Sequence, residues 1–434
     1  MRVVRKALVV LTTILLLSAL LGQVESSKMW SSDSELECHV LYFFNGIVVY
    51  NSTITETLIL ETPRNTTLPG GFTQSVEHLV HYNLLYNETT GLYEFNVEVG
   101  RNFTGFFVSR VELCARPMSA IREYLSRALQ DPRFTTSSET STPSDVREAY
   151  VKTPSKVVVE RVVPAYESWF KSRYGISTSS ASSLGLAVTA AYFIYLEFIE
   201  YEAGTTPRSI EEVVETRRGD CDDMSRVLVE LLNYYEIPAL MVYGYPLVEN
   251  FSMTIPVENV TYKFINNGPH AFTLAYIAGL GWISLDFLAG SLILRPAVVE
   301  GYARETAVPR EQVESFLELH RALSAVQVIA IFTEESIKST IRGELTLENL
   351  YDYFMRVVES VEGERGGRGD LEREVETTPT TAPLTTPLTT SPSTPLRDVE
   401  ALVRDIYPLL IAVVVLLGIV SILSRRRSQG EITS

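Results

Sequence analysis

The chain has 434 residues, 46% of them hydrophobic, enough to bury one large core or two smaller ones. Its formal charge is −16, and no run of Lys and Arg with interleaved aromatics occurs, which argues against nucleic acid as a partner. There is no Gly-rich phosphate loop and no dinucleotide fingerprint, so no cofactor is expected.

Arg2, Arg5 and Lys6 precede an uncharged apolar run from Ala7 to Leu21, and small and polar residues follow to Ser27. Residues 1–26 therefore read as a signal peptide or an uncleaved signal anchor. Residues 28–117 read as a small antiparallel β domain, because β-branched and aromatic runs such as Val40–Phe44, Gly46–Tyr50 and Tyr93–Val99 are separated by Asn, Gly and Pro. Cys38 and Cys114 bracket that segment. In an oxidising compartment two of three cysteines are expected to pair, which points to a Cys38–Cys114 disulfide and leaves Cys221 as the free thiol. Asn-x-Ser/Thr sequons at Asn51, Asn65, Asn87, Asn102, Asn250 and Asn259 all fall in the expected outer region and are candidate glycosylation sites.

Residues 118–155 hold a connecting helix and a Ser/Thr-rich linker. Helical patterns then run from Lys156 to Arg217, and strand patterns follow at Ala239–Tyr245, Ala271–Ala278 and Trp282–Phe287, so residues 156–300 read as an α+β domain. Within it Leu184–Leu196 is apolar but too short for a membrane span and leads into Glu197, which makes it a buried core helix. Ser209 and Glu212 form a capping box for a helix over Ile210–Thr216. Residues 301–363 read as C-terminal helices, around Glu311–Phe332 and Leu347–Val361.

Residues 364–405 are a linker and a Thr/Pro-rich stalk that cannot bury a core. The apolar run from Ile406 places a transmembrane helix at 406–424, and Arg425, Arg426 and Arg427 put the 425–434 tail in the cytoplasm. The expected location is the cell membrane, crossed once, with the bulk of the chain outside.

The segment richest in chemistry is Gly219-Asp220-Cys221-Asp222-Asp223-Met224, followed by Val227, Leu228, Leu231 and Leu232 on one helical face. Asp220 is a good N-cap, which sets Cys221 in the first helical turn, where the helix terminus favours a thiolate. Asp222 and Asp223 oppose that. A free cysteine at the start of an amphipathic helix can also be simple packing, but two further blocks follow. Pro269-His270-Ala271-Phe272 opens a strand, and Gly281-Trp282-Ile283-Ser284-Leu285-Asp286 ends the next, with Gly279 and Gly281 at the turn. A hairpin can bring His270 and Asp286 together as base and orienting carboxylate. Counting from the turn leaves them out of register, so a bulge or a slanted pairing is expected.

Taken with Ile237-Pro238-Ala239 and Val242-Tyr243-Gly244-Tyr245, these blocks resemble the transglutaminase-like superfamily over roughly Leu184 to Phe287. The resemblance implies an α+β, papain-like core in which a helix bearing the nucleophile packs on an antiparallel sheet. The whole architecture is then that core preceded by a small β domain, with a C-terminal stalk and one transmembrane helix. It also implies a triad of Cys221 as nucleophile, His270 as proton carrier and Asp286 as its orienting partner, acting on a peptide or protein substrate. The family commonly has Trp where Phe272 stands and Arg where Leu240 stands; both read as packing or pocket differences. The Cys221 N–H is a natural first oxyanion donor, and the second is unassigned. His78 and His81 have helical spacing without a completing cluster, and His39 and His320 stand alone, so no metal is expected. Three functions fit: a hydrolase acting on peptide or carboxamide bonds, a cross-linking acyltransferase, and a catalytically idle surface-binding protein. Water is always abundant, which favours the first.

Overall fold

Glu37–Ser52 forms one continuous strand, β1, where the Asn45-Gly46 pair reads as a break in the sequence. Gly46 lies inside the strand for lack of room: a Cβ there would come within 2.9 Å of Phe106 and of Phe354. Residues 36–116, 118–136, 141–204, 208–288, 297–303, 310–341 and 344–371 are described by this computed structural model. The 1–26 signal segment, the 406–424 span and the 425–434 tail lie outside the described residues, as does the 364–405 stalk beyond Leu371. Among those described, no helix is long and apolar enough to cross a membrane.

The other strands in chain order are β2 (Glu56–Leu60), β3 (Thr66–Leu68), β4 (Phe72–Tyr82), β5 (Leu85–Asn87), β6 (Leu92–Val97), β7 (Phe103–Ala115), β8 (Glu200–Tyr201) and β9 (Arg218–Gly219). They continue with β10 (Ala239–Pro246), β11 (Ser252–Val257), β12 (Val260–Ile265), β13 (His270–Ile277), β14 (Gly281–Leu285), β15 (Ala297–Ala303) and β16 (Leu323–Thr333). One sheet has the order β11-β12-β16-β1-β7-β4-β3, and a second has β14-β13-β10-β15. The small sheet β2-β6-β5 packs on one face of the first: Leu58, Tyr93 and Phe95 share a core with Phe43, Phe107 and Ile329. The opposite face is covered by the C-terminal helices Glu334–Ile341 and Leu347–Leu371, through Ile337, Leu350, Phe354 and Val358.

The strand-rich segment 28–117 is therefore not closed on itself. Its β1 pairs with β16 from Leu41–Thr333 to Ser52–Leu323, and the hairpin β11–β12 extends the same sheet through a parallel β12–β16 pair. This corrects the reading of 301–363 as helices alone. The helix begun at Arg310 ends at Ala322, and the chain passes straight into β16 with no turn residue to mark the change. Leu323–Thr333 is Val- and Ile-rich and buried nearly throughout, which suits a central strand covered on both faces. His78 and His81, spaced as on a helix, both sit on strand β4.

Cys38 and Cys114 face one another across β1 and β7 and are joined by a disulfide, with Cα atoms 4.0 Å apart. The apolar run at 184–196 is buried as read: Ser183–Tyr192 is α-helical, and Phe193–Phe198 continues it with a wider turn. Its side chains share the largest core with the Cys221–Tyr234 helix and with Ala271, Ala275, Ile283 and Leu285 of the second sheet.

Candidate active site

Asp220 caps the Cys221–Tyr234 helix, so Cys221 is its first residue and retains one of the N–H groups that a helix cannot satisfy internally. Met224, Val227, Leu228, Leu231 and Leu232 are all fully buried, which seats this helix on β13. Two hydrogen bonds fix the contact: Ser225 Oγ donates to the Ala271 carbonyl at 3.3 Å, and Thr273 Oγ1 donates to the Ser225 carbonyl at 3.4 Å. Tyr195 Oη shares a further bond of 2.9 Å with Ser225 Oγ. Gly219, two residues before Cys221, has no space for a side chain, because its Cβ would lie 2.6 Å from Cβ of Asp223.

His270 is the first residue of β13, and its Nε2 is hydrogen-bonded to Oδ2 of Asp286. The β13–β14 ladder runs without a bulge from Ile277–Gly281 to Thr273–Leu285. One more step would set Asp286 opposite Phe272, so the bond to His270 crosses the hairpin diagonally. The slanted alternative is the one realised, and no inserted residue is needed. Asp286 is fully buried, and its Oδ1 accepts from the Leu288 N–H at 2.8 Å, which fixes the carboxylate plane. Asn267 anchors the approach to His270: its Nδ2 donates to the carbonyls of Ile265 at 2.7 Å and Ile329 at 3.1 Å, tying the start of β13 to β16.

Cys221 is the free, partly exposed cysteine, and it lies close enough to His270 to act on the imidazole's charge. Burial alone would push His270 down. The charge and hydrogen bond of Asp286, then the contact with Cys221, outweigh it and raise His270 from 6.5 to about 10. With Nε2 taken by Asp286, Nδ1 is the nitrogen left for the thiol.

The acidic neighbours of Cys221 are compensated. Asp223, 1% exposed, accepts from Arg226 through Oδ1 and from Arg208 Nη1 through Oδ2 at 2.8 Å. Arg226 Nη2 also reaches Asp222 Oδ2 at 3.2 Å. Burial, followed by the adjoining carboxyl groups of Asp222 and Asp223, pushes Asp220 from 3.8 to about 9, against the opposing N–H of Gly204, so it is uncharged at neutral pH. Arg226 was legible in outline, since i+3 and i+4 spacing from Asp223 and Asp222 puts it on their helical face. Arg208 arrives from a loop and left no sequence signal.

Asp220, Cys221 and Asp222 bring potential ligand atoms within 4.8 Å of one another. One carboxyl holds a proton and another is committed to Arg226, so the set is not a ready cation site. The grouping of Cys38, Glu112 and Cys114 has both sulfurs spent in the disulfide. Phe272 and Leu240, the two departures from the family pattern, are buried in one apolar cluster with Leu274 and Trp282. Asn51, Asn65, Asn102, Asn250 and Asn259 are exposed and Asn87 is half-buried. The amide nitrogen of Asn87 donates to Glu94 Oε1 at 2.7 Å, and that of Asn259 to the Arg321 carbonyl at 2.8 Å.

Such a thiol at a helix N-terminus, facing a His–Asp pair on an antiparallel sheet, defines a papain-like thiol-enzyme architecture. Residues 173–287 match the model of the transglutaminase-like superfamily, and that span includes Cys221, His270 and Asp286. No curated relative matches the chain. Among solved structures, a candidate cysteine protease from Cytophaga hutchinsonii aligns at 15% identity over 69% of this chain and 93% of its own, with a TM-score of 0.37. The periplasmic domain of TgpA from Pseudomonas aeruginosa aligns at 12% identity over 60% of this chain and 75% of its own, with a TM-score of 0.24. The likeness to that superfamily rests on the matched residues and not on these two.

Proposed function

We propose that this protein is a membrane-anchored thiol hydrolase that acts outside the cytoplasm on peptide or carboxamide bonds. The observation that carries the reading is the free Cys221 thiol at a helix N-terminus, close to a His270 that Asp286 holds through Nε2. In this scheme His270, kept protonated at neutral pH by Asp286, already holds the thiol's proton at Nδ1, and Sγ attacks the carbonyl carbon as the thiolate. The tetrahedral adduct collapses to a thioester as His270 protonates the departing amine. Water then loses a proton to His270, adds to the thioester and releases the acid, which restores the thiolate beside a protonated His270. Asp286 keeps the imidazole in one tautomer and offsets the imidazolium charge.

Water is favoured over an amine as acceptor because Cys221 is partly exposed, whereas acyl transfer needs a site that excludes water. The outer location is supported by the Cys38–Cys114 disulfide and by the apolar and arginine-flanked ends of the sequence. The test supplies the full-length protein with a Gln-containing peptide, with and without a primary amine, beside Cys221→Ala. Peptide cleavage or ammonia release that needs no amine and is lost in the variant is expected. Amine incorporation as the main product would make it a cross-linking enzyme, and no Cys221-dependent turnover of any kind would leave a binding protein.

A further inference from the structure

We propose that Tyr201 is a catalytic residue, its hydroxyl being the second donor to the oxyanion formed when Cys221 attacks a carbonyl; this rests on the thiol-enzyme reading above. The two-residue parallel pair β8–β9 belongs to neither large sheet and sits at the entrance to the Cys221 helix. It is clamped at both ends, by Glu200 N–H on the Arg217 carbonyl at 2.8 Å and Glu202 N–H on the Gly219 carbonyl at 2.9 Å. That pairing sets Tyr201 directly beside Gly219, two positions ahead of the nucleophile.

Tyr201 is 39% exposed, a large aromatic ring left open to solvent on the strand paired with the residues that lead into the Cys221 helix. Its neighbours are those of the site: after burial, the groups that act on its phenol are Cys221, Asp220, Asp222 and Asp286, in that order. Burial, then these groups, hold the phenol well above its ordinary value, so the hydroxyl keeps its proton. A protonated phenol can donate to developing negative charge without giving up its hydrogen. Tyr195 does not compete for the role, because its hydroxyl is buried and already bonded to Ser225 Oγ.

The chemistry balances with no added reagent. As Sγ bonds to the carbonyl carbon, the C=O π pair moves to oxygen; the Cys221 N–H and the Tyr201 O–H then hydrogen-bond that oxygen. When the pair returns, the leaving group departs. Neither donor changes its protonation state.

The experiment compares two reactions of Cys221 in the full-length protein: acylation by p-nitrophenyl acetate, which passes through an oxyanion, and alkylation by iodoacetamide, which does not. Tyr201→Phe should slow the p-nitrophenol burst on the order of 100-fold, the usual effect of losing one such donor, and leave alkylation unchanged. An unchanged burst in Tyr201→Phe, with the burst absent from Cys221→Ala, overturns the role of Tyr201 alone. Equal slowing of both reactions overturns it too, since Tyr201 would then act on the thiol or the fold. A burst that survives in Cys221→Ala removes the thiol-enzyme reading and this assignment with it.

Discussion

Asp223 stands two residues from Cys221 and is almost wholly buried, so its charge would be expected to work against a reactive sulfur. Arg226, equally buried, turns that liability into a framework by bonding both Asp222 and Asp223. Removing Arg226 while leaving its carboxylates in place should therefore cost about 3–5 kcal/mol, the range for breaking a buried pair from one side. Urea unfolding of Arg226→Ala would measure it, and adding Asp223→Asn should recover part of the loss. A second expectation concerns Asp286. In Asp286→Asn the geometry survives, but the amide no longer holds His270 up to about 10, and the tautomer it selects is the wrong one. Acylation of Cys221 should fall on the order of 10⁴-fold, as in comparable triads, and the His270 imidazole followed by NMR should titrate closer to 6.5. At this scale the pairing of His270 with Asp286 was readable because the two stand in fixed blocks on either side of a marked turn. The charge compensation was only half readable: Arg226 shares a helix with its partners, whereas Arg208 reaches Asp223 through folding alone.

At the scale of elements, the hairpin β13–β14 and the Cys221 helix were legible because each announces itself locally, by Gly279 and Gly281 at the turn and by apolar spacing along the helix. β16 was not, since the apolar pattern of Arg310–Ala322 runs on into Leu323–Thr333 and only pairing with distant β1 decides that the second half is a strand. That pairing is long-range in sequence, where local propensity has little say. The same sheet contains the disulfide, which closes a sequence separation of 76 residues and contributes about 4 kcal/mol in the chain-entropy model. Mapping of non-reduced peptides should find Cys38 linked to Cys114 and Cys221 open to alkylation. Reduction should lower the guanidinium midpoint. A bridge containing Cys221 would falsify both the pairing and the nucleophile.

Among the described residues, Glu300, Asp220 and His270 bind their protons more tightly folded than unfolded, and they lie in different places. Glu300 on β15 faces Glu61, which sits between the two large sheets and accepts from Gln327 Nε2 at 2.5 Å and, through its carbonyl, from Asn45 at 2.9 Å. Burial, then the charge of Glu61, raises Glu300 from 4.5 to about 7, although Tyr245 donates to it and Arg64 opposes the shift. Asp220 rises from 3.8 to about 9 and His270 from 6.5 to about 10, for the reasons given above. In each case the native state holds more protons than the unfolded chain between the two values, so stability must fall as pH rises through that window. The Glu300 share is lost between roughly 4.5 and 7, that of Asp220 between roughly 4 and 9, and that of His270 between roughly 6.5 and 10. The protein should accordingly be most stable in mild acid, with a thermal midpoint that declines from about pH 5 to pH 10. Glu300→Gln should flatten the decline below pH 7 and Asp220→Asn the stretch up to pH 9, each leaving the other part in place, because the two sites share no residue. Thermal melts at constant ionic strength across that range provide the measurement. A midpoint that climbs from pH 5 to pH 8 would mean that these carboxyls are charged in the native protein, which neither the Glu61–Glu300 contact nor the acidic cluster at Asp220 could then tolerate without a bound cation.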